Sequence, residues 1–245
     1  MPAAAISSSV CKMAALFLRL SVLAVALCIV AGCERSPSRQ AVVRPPLRPH
    51  RILVLGDSLA LGFGASDASK GFIFLLYRAV QARDPAAIIT SYAVGGARVD
   101  DVLHYEVPRA KHDAATDVWI CVGGNDVTHA TASSSFSREY RALVHTVQRH
   151  WPAARMIVFG VPDVSRSPLF TGSTRAQMRA LASTDDEAMR MATQAAHVQF
   201  IDLFAFGKRV VAARDFSADN FHPSDAGYLA IADYAEPTVL RTTFR

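Results

Sequence analysis

Ser58, Gly96, Asn125, Asp219 and His222 have the types that acyl-transfer chemistry requires, although they are spread over most of the chain. A serine hydroxyl is a poor nucleophile until a base within hydrogen-bond reach takes its proton, and a neutral imidazole does this near neutral pH. His222 is the candidate base. Asp219, just upstream of it, would hold the ring in one tautomer and stabilise it when charged. A tetrahedral oxyanion needs donors aimed at it, here a backbone amide at Gly95 or Gly96 that a ligand can approach closely, and the Asn125 side-chain amide. One such donor is worth roughly 3 to 4 kcal/mol of barrier. Plainer readings stand beside these. Asp57-Ser58 after an apolar run is also ordinary helix-capping chemistry, and Asp219 suits the cap of a following helix. Yet Asp219 and His222, followed by Pro223 where a helix starts, fall within one tight turn.

To act together these residues must be brought to one edge of a sheet. The stretch Arg51 to Gly64, RILVLGDSLALGFG, opens with the apolar run Ile52-Leu53-Val54-Leu55 and breaks at Gly56, the pattern of a strand buried on both faces of a parallel sheet. Further strands are predicted over 88–94, 117–122, 156–159 and 198–201. Helical patterns fall over 71–83, 99–111, 135–150, 174–195 and 224–240. In the third of these helices Tyr140, Leu143, Val144 and Val147 recur at helical spacing until Trp151-Pro152 stops it. Five short strands alternating with helices predict an α/β fold, a three-layer α/β/α sandwich around a five-stranded parallel sheet. In such a sheet the loops holding Ser58, Gly95-Gly96 and Asn125 open on the same edge, where α/β proteins bind ligands.

Four blocks carry a family resemblance: Gly56-Asp57-Ser58-Leu59, Ala93-Val94-Gly95-Gly96, Gly123-Gly124-Asn125-Asp126 and Asp219-Asn220-Phe221-His222-Pro223. In this order and context the chain resembles the SGNH (GDSL-type) hydrolase superfamily, from about Arg51 to Tyr234. Ser91 stands where the second block often opens with Asn. The resemblance implies a flavodoxin-like fold, Ser58 as nucleophile, and Gly96 and Asn125 as oxyanion donors beside the Ser58 amide. It also implies His222 as base and Asp219 as its orienter. The expected function is a serine esterase acting on lipid or small acyl esters, as lysophospholipase and thioesterase relatives do. Alternatives are a carbohydrate O-acetylesterase of the cell envelope and a non-catalytic binding lipoprotein on the same fold. No cofactor is expected.

The N-terminus points to export. Lys12 and Arg19 precede an apolar run from Leu20 to Cys33, short for a membrane span and typical of a secretory signal. Its end, Val30-Ala31-Gly32-Cys33, resembles the lipobox of bacterial lipoproteins, in which the cysteine is lipidated and begins the mature chain. The expected division is a signal peptide over 1–32, a Pro/Arg-rich tether over 33–50 and a hydrolase domain over 51–245. As extended polyproline II, at ~3 Å per residue, the tether would reach roughly 50 Å. Lipid on Cys33 would make the membrane a partner, with the domain in the cell envelope. Arg35, rather than an aspartate, lies two positions after Cys33, which under the enterobacterial sorting rule implies the outer membrane, facing the periplasm.

Of the four cysteines, Cys11 and Cys28 would leave with the signal, so Cys121 alone would remain as a thiol, read as a small buried hydrophobe. The charge of +5 includes Lys12 and Arg19 and would fall to +3 on cleavage. With the remaining cations scattered singly, nucleic-acid binding has little support. No His/Cys/Asp cluster has metal-ligand spacing. Asp57 and Asp126 are read as structural acceptors beside the site. His104, His112, His145, His150 and His197 are read as surface or packing residues. His129 is a candidate for the pocket wall, as is the loop 162–173 with Leu169 and Phe170.

Overall fold

The computed structural model describes residues 49–209 and 212–245, so the expected leader, Cys33 and nearly all of the expected tether lie outside the described residues. Five strands, β1 (Arg51–Gly56), β2 (Ile88–Ser91), β3 (Asp117–Cys121), β4 (Arg155–Phe159) and β5 (Gln199–Ile201), form one sheet in the order β2-β1-β3-β4-β5. All four pairings are parallel. The chain runs outward from β1 to β2 and returns on the other side of β1 to build β3. The crevice at the carboxyl ends of β1 and β3 is therefore the topological switch point, where open α/β sheets hold ligands.

Alternation along the strands supplies two cores. Ile52, Val54, Trp119, Cys121, Ile157 and Phe159 face α2 (Phe72–Gln81) and the C-terminal helix, α10 (Asp225–Thr243). Leu53, Leu55, Val118, Ile120, Met156 and Val158 face the helical segment 99–110, α6 (Ser133–His150) and α7 (Gly172–Ala195). The expected stripe of α6 is buried, and its last turn ends at Trp151. Burying one Leu, Val or Ile is worth about 1.5–3 kcal/mol, so the central strands carry much of the stability. Cys121 is a buried free thiol within this packing. The α/β/α sandwich is as expected, with the short helices α5 (Gly124–Thr128), α8 (Leu203–Phe206) and α9 (Ala212–Asp215) in its connections.

Several boundaries differ from expectation. β2, a mostly exposed edge strand, stops at Ser91, and beyond it the chain keeps only the Tyr92 and Val94 N–H bonds to β1 as it enters the loop of the second block. The expected helix 99–111 is broken into α3 (Val99–Asp101), a π-helical turn (Val102–Glu106) and α4 (Val107–Ala110). His50, assigned to the tether, belongs to the folded body. It is buried, its backbone N–H and ring Nδ1 lie 2.8 and 2.7 Å from Asp84 Oδ2, and its Nε2 lies 3.2 Å from the Thr243 carbonyl. The chain is thus clamped to α10 and to the turn after α2 before β1 begins.

Candidate active site

The β1 loop presents Ser58. Gly56 has φ +152°, and a Cβ there would lie 2.0 Å from the Cys121 carbonyl oxygen, so only glycine lets β1 turn this close to β3. The Asp57 N–H donates to that carbonyl at 3.0 Å, and Asp57 Oδ1 accepts the Leu59 N–H at 2.9 Å. The capping reading holds here and leaves Ser58 available as the candidate nucleophile: Asp57 caps α1 (Ser58–Leu61), and Ser58 is the first residue of that helix. Among the described residues nothing accepts the Ser58 N–H, as is usual for a first helical amide.

The segment before α10 presents His222. A bridge between Phe216 and Pro223, the Ser217 N–H to the His222 carbonyl and the Ser224 N–H to the Asp215 carbonyl make a tight reversal. Asn220 sits at its tip with φ +59°, a conformation asparagine tolerates better than most residues. Asp219 Oδ1 accepts the Phe221 and His222 N–H groups and the Ser217 hydroxyl, while Oδ2 lies 2.6 Å from His222 Nδ1. Partial burial works against ionisation of Asp219. The His222 ring and the other three donors outweigh it and hold the carboxyl well below the usual carboxylate range. An ionised Asp219 only accepts, so His222 Nδ1 is the donor and Nε2 is left as an acceptor. Nε2 lies 2.9 Å from Ser58 Oγ.

The imidazole is walled in. Phe63 and Phe221 meet it edge-on, with ring centroids at 5.8 and 5.1 Å. Gly64, at φ +89°, packs so closely that a Cβ would come 2.7 Å from both His222 Cβ and the Pro223 carbonyl. Tyr228 from α10 holds this loop by donating its hydroxyl to the Phe63 carbonyl at 2.6 Å.

The loops after β2 and β3 supply the remaining groups. The Asn125 side-chain amide donates to the Ala97 carbonyl at 3.0 Å, which fixes its plane and leaves its second N–H free. Asp126 Oδ2 accepts the Val99 N–H at 3.1 Å, a second tie between the same loops. Gly96 has φ +84° in a turn closed by the Ala97 N–H on the Val94 carbonyl. Its own N–H has no partner among the described residues, and no atom lies within 4 Å of where its Cβ would be. Gly95 instead faces the Phe63 ring, 3.0 Å from its Cβ position, so Phe63 lies between this turn and His222. Ser91, in place of the block's usual Asn, accepts the Ala93 N–H at 3.3 Å.

A cleft of about 900 Å³, mouth included, opens on these residues. Ser58, Asn125 and His222 line it, as do the apolar Leu59, Val122, Leu203, Phe206, Phe221 and Ile231. Gly96 is exposed and lies outside its lining. Pro162, Asp163, Val164 and Arg166 line it, so the early part of the 162–173 loop forms a wall. Leu169 and Phe170 do not line it: Leu169 is exposed, and Phe170 packs edge-on against Phe221. His129 is exposed, with Nδ1 2.8 Å from the Asn125 carbonyl oxygen, and also lies outside the cleft. Among the described residues no group of three or more His, Cys, Asp or Glu side chains is placed to hold a metal.

The buried acids Glu106, Asp185 and Asp186 escaped the sequence reading, and the burial of Asp57, read there as a structural acceptor, shifts its carboxyl as well. Burial pushes Glu106 up to about 8, against the pull of the Gly56 N–H. Burial, opposed by the Leu59 amide and reinforced by Asp126, pushes Asp57 up to about 7. Asp185 and Asp186 on α7 are likewise held up at about 7 by burial. A signal was available. Glu106 falls at i+4 from Val102 and i−4 from Ala110, and Asp185 lies in the stripe Met178, Ala182, Met189, Ala192, so each is a charge set into an apolar face.

The fold and this arrangement define a three-layer α/β protein with a Ser-His-Asp line at its switch point. The chain belongs to the GDSL-like Lipase/Acylhydrolase family, whose description matches residues 54–230. Solved structures share the fold. The psychrotrophic esterase EstA from Pseudoalteromonas sp. is 16% identical with a TM-score of 0.61, covering 78% of this chain and 97% of its own. TesA is 17% identical with a TM-score of 0.65, covering 79% and 99%. Axe2, an acetyl-xylooligosaccharide esterase from Geobacillus stearmophilus, is 18% identical with a TM-score of 0.59, covering 78% and 94%. No curated protein matches.

Proposed function

We propose that this chain is a serine ester hydrolase that cleaves carboxylic esters with apolar acyl groups through an acyl-enzyme on Ser58. The observation that carries this reading is the continuous line Ser58 Oγ, His222 Nε2, His222 Nδ1 and Asp219 Oδ2, with spacings of 2.9 and 2.6 Å. Ser58 Oγ attacks the ester carbonyl carbon as its proton passes to His222 Nε2. The tetrahedral oxyanion is met by the free N–H of Asn125 and the unpartnered amide of Ser58, and the Gly96 amide, which lies outside the cleft lining, is the third donor that the family resemblance implies. Collapse breaks the bond to the alcohol, which leaves with the proton from Nε2. Water then repeats the sequence on the acyl-enzyme, and the carboxylic acid departs.

The apolar cleft lining supports acyl esters of the lysophospholipase or thioesterase type over an acetylated carbohydrate, because an acetyl group leaves most of that surface unused. Lipidation at Cys33 and an envelope location complete the proposal and follow from the lipobox resemblance. Ser58→Ala and His222→Ala should each abolish turnover of 4-nitrophenyl esters with circular dichroism unchanged, and full activity in either variant would end this reading. Rates on esters of rising chain length beside an acetylated xylooligosaccharide decide the substrate class.

A further inference from the structure

We infer that Glu106 is a positioning residue that fixes the backbone presenting Ser58, by accepting the Gly56 N–H in the gap left where β2 ends. The β1–β2 ladder stops at Val54 and Ser91. Beyond it the Tyr92 and Val94 N–H groups still donate to the Val54 and Gly56 carbonyls at 2.9 Å, but among the described residues no strand offers an acceptor to the Gly56 N–H. A buried amide must find a partner, and Glu106 Oε2 supplies one at 2.8 Å.

The π-helical turn makes this contact available. The Val107 N–H bonds to the Val102 carbonyl five residues back, which inserts an extra residue and aims Glu106 into the core, where it is 1% exposed. Both backbone groups of Gly56 on the β2 side are thereby held, its N–H by Glu106 and its carbonyl by Val94. Val94 begins the turn that carries Gly96, so this grip also sets the distance between the nucleophile loop and that amide. Asp57, Arg109 and the Val94 amide also act on the Glu106 carboxyl, and burial favours its neutral form. A neutral acid accepts through its carbonyl oxygen, as an amide side chain does, so glutamine should substitute and an apolar isostere should not.

This inference rests on the proposed ester hydrolysis, so the test uses a reagent that needs no knowledge of the natural substrate. A 4-nitrophenyl alkylphosphonate transfers its phosphonyl group to Ser58 Oγ and releases 4-nitrophenol. Limiting inactivation rate and half-saturating concentration are measured for wild type, Glu106→Gln and Glu106→Leu at a temperature where circular dichroism shows each folded. Glu106→Gln should stay within about threefold of wild type. Glu106→Leu should lose at least about tenfold in limiting rate with half-saturation little changed, as expected when a reacting group is displaced by a fraction of an ångström.

A leucine variant with a lowered melting temperature but the wild-type limiting rate overturns the inference, as does a glutamine variant as slow as the leucine one. If Glu106→Leu does not fold, Glu106→Asp, whose shorter side chain draws back from Gly56, is judged by the same criterion as the leucine variant. A wild type unreactive at Ser58 overturns the hydrolase reading and this inference together, whereas a reactive wild type with an unaffected leucine variant overturns the inference alone.

Discussion

Replacing Asp219 by asparagine changes one atom of the site and reverses the direction of a hydrogen bond. Asparagine keeps a carbonyl oxygen where Oδ1 accepts the Phe221 and His222 N–H groups and the Ser217 hydroxyl, so the turn should survive. It places an NH2 where Oδ2 stands, 2.6 Å from His222 Nδ1. Facing a donor, Nδ1 must accept, and the ring proton moves to Nε2, 2.9 Å from Ser58 Oγ. A protonated Nε2 cannot take the serine proton. In a buried triad this inversion costs roughly 10⁴-fold in kcat, about 5.4 kcal/mol. Here the Asp219 side chain is 46% exposed, and water can replace part of the lost interaction, so the expected loss is about 10²- to 10⁴-fold. Steady-state kinetics on a 4-nitrophenyl ester at pH 7.5 should show the loss in kcat with KM little changed. A kcat within threefold of wild type would refute the assigned tautomer and the role of Asp219.

Asn125→Ala should lower kcat by about 10²- to 10³-fold, because one oxyanion donor disappears, and should lower stability by only about 1 kcal/mol for the lost bond to Ala97, read by thermal melting. Gly64→Ala forces a Cβ within 2.7 Å of His222 Cβ at a positive φ, so both melting temperature and kcat should fall, the latter by at least about tenfold as the ring is displaced. Asp57, Glu106, Asp126, Asp185 and Asp186 are held up at about 7, 8, 6, 7 and 7, mainly by burial. Unfolded carboxyls titrate near 4, so the folded chain binds more protons between about pH 4 and 8, and stability present at low pH is lost as pH rises through these values. The melting temperature should therefore be higher at pH 5.5 than at pH 8.5, and Asp185→Asn with Asp186→Asn should flatten the difference.

The parts of the fold legible in the sequence are those where one force dominates. β1 and β3 are buried on both faces, so Ile52-Leu53-Val54-Leu55 and Val118-Trp119-Ile120-Cys121 are continuous apolar runs that nothing but a central strand explains. The stripe of α6 is equally plain. The candidate site was legible because turn chemistry is local: Gly56 before Ser58, and Asp219 close before His222, are short-range requirements. What escaped depends on long-range partners. β2 ends early because only half of the ladder continues past Ser91: the Tyr92 and Val94 N–H groups still bond to β1, while the Gly56 N–H goes to Glu106. The π-helical turn at Val102–Glu106 has no local signature, since its reason is the Gly56 amide on another element. His50 read as linker because Arg and Pro surround it, although Asp84 and Thr243 were waiting to bind it.

Trapping the reaction intermediate decides whether Ser58 carries the acyl group. Wild-type protein is mixed rapidly with 4-nitrophenyl butyrate and quenched in acid, and its mass and peptides are mapped. A burst of 4-nitrophenol is expected with one butyryl group, on the peptide bearing Ser58, absent from Ser58→Ala and accumulating in Asn125→Ala only slowly. An acyl group on any other residue, or undiminished ester turnover by Ser58→Ala, would contradict the role of Ser58 as nucleophile.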